Sequence, residues 1–291
     1  MTIIARPGSL GYEGLLAQVR YNGEPRTDRT GTGTLSLFAP EPLRYRLDNF
    51  RVPLITSKAV SWRMALKEFM WMLSGSTNTH DLLNGSMQAI WNNWADPDGE
   101  LGPTYGAQYR NAGAEYDTGA GVDQLAEVID RLVRTPDTRR ALISLWSVPE
   151  LEFMALEPCM VLFQFSLRGP NLDQLELHIY QRSADLMLGV PFDLFQGGLL
   201  AHLIARELTF RTGRLIQATS LTWSAGDTHI YNNQLDAVDQ QLSLTTWPHM
   251  NARVVLPGSD TIRLLDGSLT ASHIDVINYH SAPAIRAPLA I

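Results

Sequence analysis

Two stretches of alternating apolar residues, 161–167 and 175–180, flank the link Arg168-Gly169-Pro170-Asn171-Leu172-Asp173. Strand patterns this close, with Gly, Pro and Asn between them, predict an antiparallel hairpin. Its register constrains the chain more than any other local feature, because it decides which residues meet at the open end. Centred between Pro170 and Asn171, the hairpin puts Cys159 opposite Arg182, and a bulge would shift the match by one residue. Cys159 is the only cysteine among 291 residues. A single thiol excludes an intrachain disulfide framework and a thiolate-rich metal centre. The seven histidines show no His-x-x-x-His spacing, so no metal site is expected.

The remaining patterns intersperse helix and strand. Residues 61–73 read as a helix capped by Ser61 and stopped by Gly75, apolar nearly all round and hence buried. Residues 125–133 form an amphipathic helix ending before Pro136, and 194–209 a second apolar helix. Strand patterns also occur at 140–147 and 216–223. This mixture predicts an α/β (α+β) architecture with a sheet packed by helices. No linker, repeat or low-complexity tract divides the chain, so 1–291 reads as one domain, with 111–121 as a surface loop. Lys+Arg is 23 and Asp+Glu 30, a net charge of −7, with 45% hydrophobic residues. Disorder and a strongly basic nucleic-acid binder are excluded. No apolar run approaches the ~20 residues of a membrane span. The start of the sequence, Met1 to Pro7, has no signal-peptide stretch. A soluble, cytoplasmic protein is expected.

On an acidic chain, cations for an anionic ligand must be local. Arg29 lies in a glycine-bearing loop, Arg139-Arg140 begin a strand pattern, and Arg182 precedes Ser183. These are either solvated charges or a phosphate clamp of planar forks and a hydroxyl. The loop is neither a P-loop nor Gly-x-Gly-x-x-Gly. Cys159 is either a small buried hydrophobe or a nucleophile whose pKa a neighbouring Arg lowers. Glu68, on a buried helix, is either half of an internal ion pair or a general acid/base in a desolvated site. A zinc deaminase is disfavoured, since Pro158-Cys159 has no second cysteine after it.

Several long segments together resemble the thymidylate synthase family. They are Asp28-Arg29-Thr30-Gly31-Thr32-Gly33-Thr34, Trp91-Asn92-Asn93-Trp94-Ala95-Asp96 with Leu101-Gly102-Pro103-Thr104-Tyr105-Gly106, and Gln181-Arg182-Ser183-Ala184-Asp185 with Leu188-Gly189-Val190-Pro191-Phe192. Gly226-Asp227-Thr228-His229-Ile230-Tyr231 and the terminal Ala287-Pro288-Leu289-Ala290-Ile291 complete the set. The resemblance implies a mixed-sheet fold, a homodimer formed through the sheet, and one-carbon transfer from methylenetetrahydrofolate to carbon 5 of a pyrimidine nucleoside monophosphate. It implies Cys159 as nucleophile, Glu68 as proton-transfer residue and Tyr105 near the reacting carbon. Arg29, Arg182 and Ser183 match phosphate ligands, with Arg139 and Arg140 reaching that phosphate from the partner subunit. His229 and Tyr231 match sugar contacts, Gln181 and Asp185 belong to the base-binding segment, and Trp91 and Trp94 to the folate side. No metal, membrane or nucleic-acid partner is implied.

Three positions depart from the family pattern. Asp193 stands where these enzymes carry Asn after Pro-Phe, Met160 where they carry His after the nucleophile, and Gln234 where the sugar segment ends in His. An Asn amide complements the N–H and carbonyl of uracil. A carboxyl group accepts from the amine of cytosine and, when protonated, donates to its bare ring nitrogen. The same change resembles the cytidylate hydroxymethylases of the family. The expectation is therefore a CMP or dCMP 5-hydroxymethylase, in which water captures the methylene adduct. The alternatives are a thymidylate synthase or hydroxymethylase acting on dUMP, and an inactive nucleotide- or RNA-binding relative.

Overall fold

The computed structural model describes residues 11–82, 85–114, 121–244 and 247–290. In chain order the elements are α1 (Tyr12–Asn22), β1 (Glu24–Arg26), β2 (Thr34–Phe38), β3 (Leu43–Arg46), α2 (Trp62–Ser74), α3 (Gly85–Trp91), α4 (Tyr105–Arg110), α5 (Gln124–Arg134) and β4 (Leu142–Ser144). They continue with β5 (Met160–Arg168), β6 (Gln174–Asp185), α6 (Gly189–Thr212), β7 (Gln217–Tyr231), α7 (Leu235–Leu242), β8 (Arg253–Val255) and β9 (Asp275–Ile277). β1 to β7 form one sheet in the order β1-β2-β7-β6-β5-β4, with β3 also on β7, while β8 and β9 pair separately. β6 and β7 run parallel and the other pairs are antiparallel, so the sheet is mixed as expected.

α6 is the crossover that the parallel pair β6 and β7 requires. It is buried along most of its 24 residues. Gly197 and Gly198 let it lie against its neighbours: a Cβ there would stand 2.6 Å from Ile179 Cδ1 and 2.4 Å from Pro53 Cδ. The helix begins at Gly189, before the expected 194, because Pro191 falls in the first turn, where its missing N–H costs nothing. In β6 the residues Leu175, Leu177, Ile179 and Gln181 face this packed side. Gln174, Glu176, His178 and Tyr180 lie on the opposite face, exposed in the single chain.

The hairpin forms as β5 and β6. Most of the ladder is one residue out of the expected register, pairing Leu162 with Tyr180 and Arg168 with Gln174. An irregularity between Met160 and Leu162 absorbs the offset, so Met160 meets Gln181 and Arg182 N–H donates to Cys159 O at 2.8 Å. Cys159 and Arg182 are thus opposite, by way of a bulge.

α2 matches its prediction to within a residue. Gly75 ends it at φ +90°, with its N–H on Met72 O. Ser61 occupies the N-cap position, but its hydroxyl makes no capping bond. The strand expected over 140–147 shortens to β4, leaving Arg139 and Arg140 outside it and exposed. The strand expected over 216–223 extends to Tyr231 as β7, since pairing with β2 and β6 holds a polar second half that has no apolar alternation. Of the loop expected over 111–121, residues 115–120 lie outside the described residues, as do Met1 to Pro7 and Ile291. Among the described residues no helix is long and apolar enough to cross a membrane.

Candidate active site

A cavity of about 710 Å³ opens where the loop before β2, the approach to β5 and the ends of β6 and β7 converge. Cys159, Arg182, Ser183, His229, Tyr231 and Arg29 all line it. The loop carrying Arg29 is pinned by Asp28, whose carboxylate accepts from the N–H groups of Thr30 and Gly33 and the Thr30 hydroxyl. These bonds hold the Asp28 carboxyl below its usual range. His229 Nδ1 lies 2.9 Å from Asp227 Oδ1, and the His229 ring meets Tyr231 edge-on at 5.1 Å. Asp227 also accepts from Ser36 Oγ at 2.9 Å, so two neighbouring strands, β2 and β7, fix the orientation of one imidazole.

Arg182 does more than supply charge. Its Nε donates to Pro158 O at 3.0 Å, another guanidinium nitrogen donates to Glu157 O at 2.9 Å, and Trp146 stacks on it at 5.3 Å. It therefore holds the segment that presents Cys159. The thiol itself is not activated as expected. Burial pushes the Cys159 pKa up, Arg182 pulls against that rise, and Asp193 adds to it. Among the described residues the cation at the open end of the hairpin only moderates the desolvation penalty. Cys159 N–H donates to the Tyr105 hydroxyl at 2.7 Å. That brings Tyr105 beside the cysteine.

Behind this cavity lies a buried polar cluster. Glu68 is 8% exposed, and its partners are not the arginine of an ion pair but two neutral donors, Trp91 Nε1 and Gln196 Nε2, each at 2.8 Å. Burial pushes its carboxyl up to about 7, and these bonds offset only part of the rise. Gln196 lies one turn of α6 from Asp193. Asp193 Oδ2 accepts from Gln181 Nε2 at 2.8 Å. Burial, reinforced by the charge of Glu68, pushes the Asp193 carboxyl to about 7 as well. The site thus pairs two carboxyl groups that titrate near neutrality with the one thiol.

The other expected site residues occupy varied settings. Trp91 does not offer its indole N–H to a ligand, since Glu68 holds it. Its ring packs with Trp71, Trp94 and Tyr105. Trp94 lines both the main cavity and an adjoining one of about 760 Å³, together with Met154 and Ala155. Gln181 is buried and turned toward Asp193, Ser183 and Trp223, not toward the cavity. The Asp185 side chain accepts from Met187 N–H at 2.9 Å and Leu188 N–H at 3.2 Å, tying down the turn before α6. Arg139 and Arg140 do not line the cavity of their own chain. Gln234, fully buried, donates to Pro288 O at 3.3 Å and Asp185 Oδ2 at 3.4 Å, linking the terminal segment to that turn. Gln196, Trp146, Trp223 and Lys58 were not singled out from the sequence. Lys58 is a buried cation on Met187 O, its pKa lowered by burial to about 8. Gln196, at helical spacing from Asp193, carried the one legible signal among them.

Nucleophile and cations thus line one cleft of a mixed-sheet fold, while Glu68 and Asp193 lie in the adjoining buried cluster, outside its lining. Residues 10–291 match the family described as thymidylate synthase. The chain is 40% identical over 281 residues to the thymidylate synthase of Corynebacterium aurimucosum, a match covering 96% of this chain and 97% of that one. The chain belongs to the thymidylate synthase family. It is accordingly a folate-dependent one-carbon transferase acting on a nucleotide, with methylenetetrahydrofolate as co-substrate.

Proposed function

We propose that the nucleotide carries cytosine, and that the protein converts CMP or dCMP to the 5-hydroxymethyl nucleotide. The observation that carries this reading is Asp193, a buried carboxyl with a pKa near 7 whose charge acts on the Cys159 thiol, where an amide would suit uracil. A carboxyl accepts from the exocyclic amine, and its protonated form also donates to the ring nitrogen. Against uracil, an ionised carboxylate would face an exocyclic oxygen, acceptor against acceptor. One bidentate base contact supplies roughly 1–3 kcal/mol of discrimination.

In this reading Arg29, Arg182 and Ser183 bind the phosphate, and His229 and Tyr231 bind the sugar. The Cys159 thiolate adds to carbon 6, which makes carbon 5 nucleophilic toward the folate methylene. Glu68, near its midpoint at neutral pH, moves protons at the base, with Tyr105 alongside. Carbon 5 loses its proton, tetrahydrofolate leaves, water adds to the exocyclic methylene, and the thiolate is expelled. Trp94 and the apolar wall beside it fit the folate rings. We further infer a homodimer: the polar face of β6 is uncovered in the single chain, and Arg139 and Arg140 stand free to reach a partner's phosphate.

A second reading, thymidylate synthesis from dUMP, has the better support from overall likeness, since the relative matched along nearly the whole chain is a thymidylate synthase. Product analysis separates the two. Incubation with methylenetetrahydrofolate and CMP, dCMP or dUMP is expected to give a hydroxymethylcytosine nucleotide and tetrahydrofolate. Dihydrofolate and a methylated uracil nucleotide would instead establish the second reading. Asp193→Asn is expected to move the ratio of kcat/KM toward dUMP by at least tenfold.

A further inference from the structure

A carboxyl that titrates near neutrality is an ambiguous reader of bases. Cytosine presents a donor and an acceptor on its pairing edge, and uracil presents the same two in reverse order. A carboxylic acid free to carry its proton on either oxygen matches both. Asp193 therefore needs something to fix its polarity.

Gln181 is placed to do so. Its Nε2 has two hydrogens and two acceptors, Asp193 Oδ2 at 2.8 Å and Ser183 O at 3.0 Å. Its Oε1 accepts from Trp223 Nε1 at 2.8 Å. An indole N–H only donates, and a backbone carbonyl only accepts, so the amide has one orientation. Reversing it would set N–H against N–H and oxygen against oxygen. Gln181 is 2% exposed and Trp223 fully buried, so neither reversed contact could be relieved by water. The Asp193 oxygen facing Gln181 is thereby held as an acceptor. Any proton is confined to Oδ1, which accepts no hydrogen bond from a described residue.

We propose that Trp223 and Gln181 act as a specificity relay, positioning residues that fix the donor–acceptor order of Asp193 so that it matches one pyrimidine and rejects the other. The inference rests on the cytosine reading above and deepens it: selection belongs to three residues, two of which never touch the base. Ser183 O shares the amide, so the relay also ties base reading to the residue that offers its hydroxyl to the phosphate.

The test uses Trp223→Phe, which keeps an aromatic ring and removes the indole N–H, so that Ser183 O alone is left to orient the Gln181 amide. kcat/KM is measured for the preferred cytosine nucleotide and for dUMP between pH 6 and 8.5. The relay predicts that the ratio falls toward one, by tenfold or more, and that it becomes more dependent on pH. A purely structural role would lower both substrates together, so an unchanged ratio overturns the relay. Should Trp223→Phe not fold, Gln181→Met removes the fixed donor and carries the same two outcomes. A wild-type enzyme that prefers dUMP overturns the cytosine reading itself, a result distinct from a cytosine-preferring enzyme indifferent to Trp223.

Discussion

The cavity and the buried cluster behind it solve opposite electrostatic problems. At the proposed phosphate end, Arg26, Arg29 and Arg182 sit among Asp28, Glu157 and Asp227, in reach of solvent, and the acids there are paired or held below their usual range. At the proposed base end, Glu68 and Asp193 are enclosed with only neutral donors, and both are pushed to about 7. Charge there is deliberately unsettled. Binding an anion needs permanent cations, whereas moving protons and reading a pairing edge needs groups poised between two states. Cys159 stands at the boundary, raised by burial from one side and lowered by Arg182 from the other.

The sharpest way to break this contrast is to remove the boundary residue. Cys159→Ser is expected to lower kcat by roughly 10⁴ or more, the scale seen when a nucleophile is lost, while nucleotide binding measured by calorimetry stays within a few-fold. Turnover surviving the change would end the covalent scheme. The next largest effect belongs to the base end. Glu68→Gln is expected to cost about 10²–10⁴ in kcat/KM, as for other general acid/base groups. It also carries a stability signature. The folded-state pKa of Glu68 is raised from 4.5 to about 7, so between those values the native state holds a proton that the unfolded chain has lost. Stability from this group is therefore present at low pH and lost as pH rises through that window, by about 3 kcal/mol at ~1.4 kcal/mol per unit. Urea unfolding at pH 5 and pH 8 should show this fall in the wild type and a smaller one in Glu68→Gln.

The same division explains what could be read from sequence. The open end is built from local motifs, a glycine-bearing loop around Arg29 and the hairpin register joining Cys159 to Arg182, whereas the Asp227 to Tyr231 run stands out through the family resemblance. Each lies within one element or one turn, where spacing implies position. α2 was legible for the same reason, its apolar periodicity and Gly75 acting within thirteen residues. The base end was only half legible. Glu68 stands out as an acid on an apolar helix and Asp193 as a departure from the family pattern, but their partners come from distant elements: Trp91 from α3, Gln196 from α6, Gln181 from β6 and Trp223 from β7. No spacing connects Gln181 to Trp223. Only the parallel pairing of β6 with β7, closed by a long crossover helix, brings them together. The rise in the Cys159 pKa was hidden likewise, because burial is a property of the whole fold whereas the neighbouring Arg182 can be counted along a hairpin.

The phosphate end supplies the mildest test, and its mildness is itself informative. Arg29 offers a charge-assisted contact at an already hydrated site, so Arg29→Ala is expected to raise KM about tenfold and leave kcat nearly unchanged. The effect should shrink as salt is raised, because exposed cations are screened within about 8–10 Å at 0.1–0.15 M. Arg140→Ala is expected to behave in the same way, although Arg140 does not line the cavity of its own chain. If its contribution crosses a dimer interface, mixing the Arg140→Ala and Cys159→Ser proteins will regenerate sites that draw Cys159 from one subunit and Arg140 from the other. Recovered activity at low nucleotide concentration would then exceed the sum of the two parents. If the mixture shows only that sum, Arg140 does not act across subunits, and the phosphate end must be complete within a single chain.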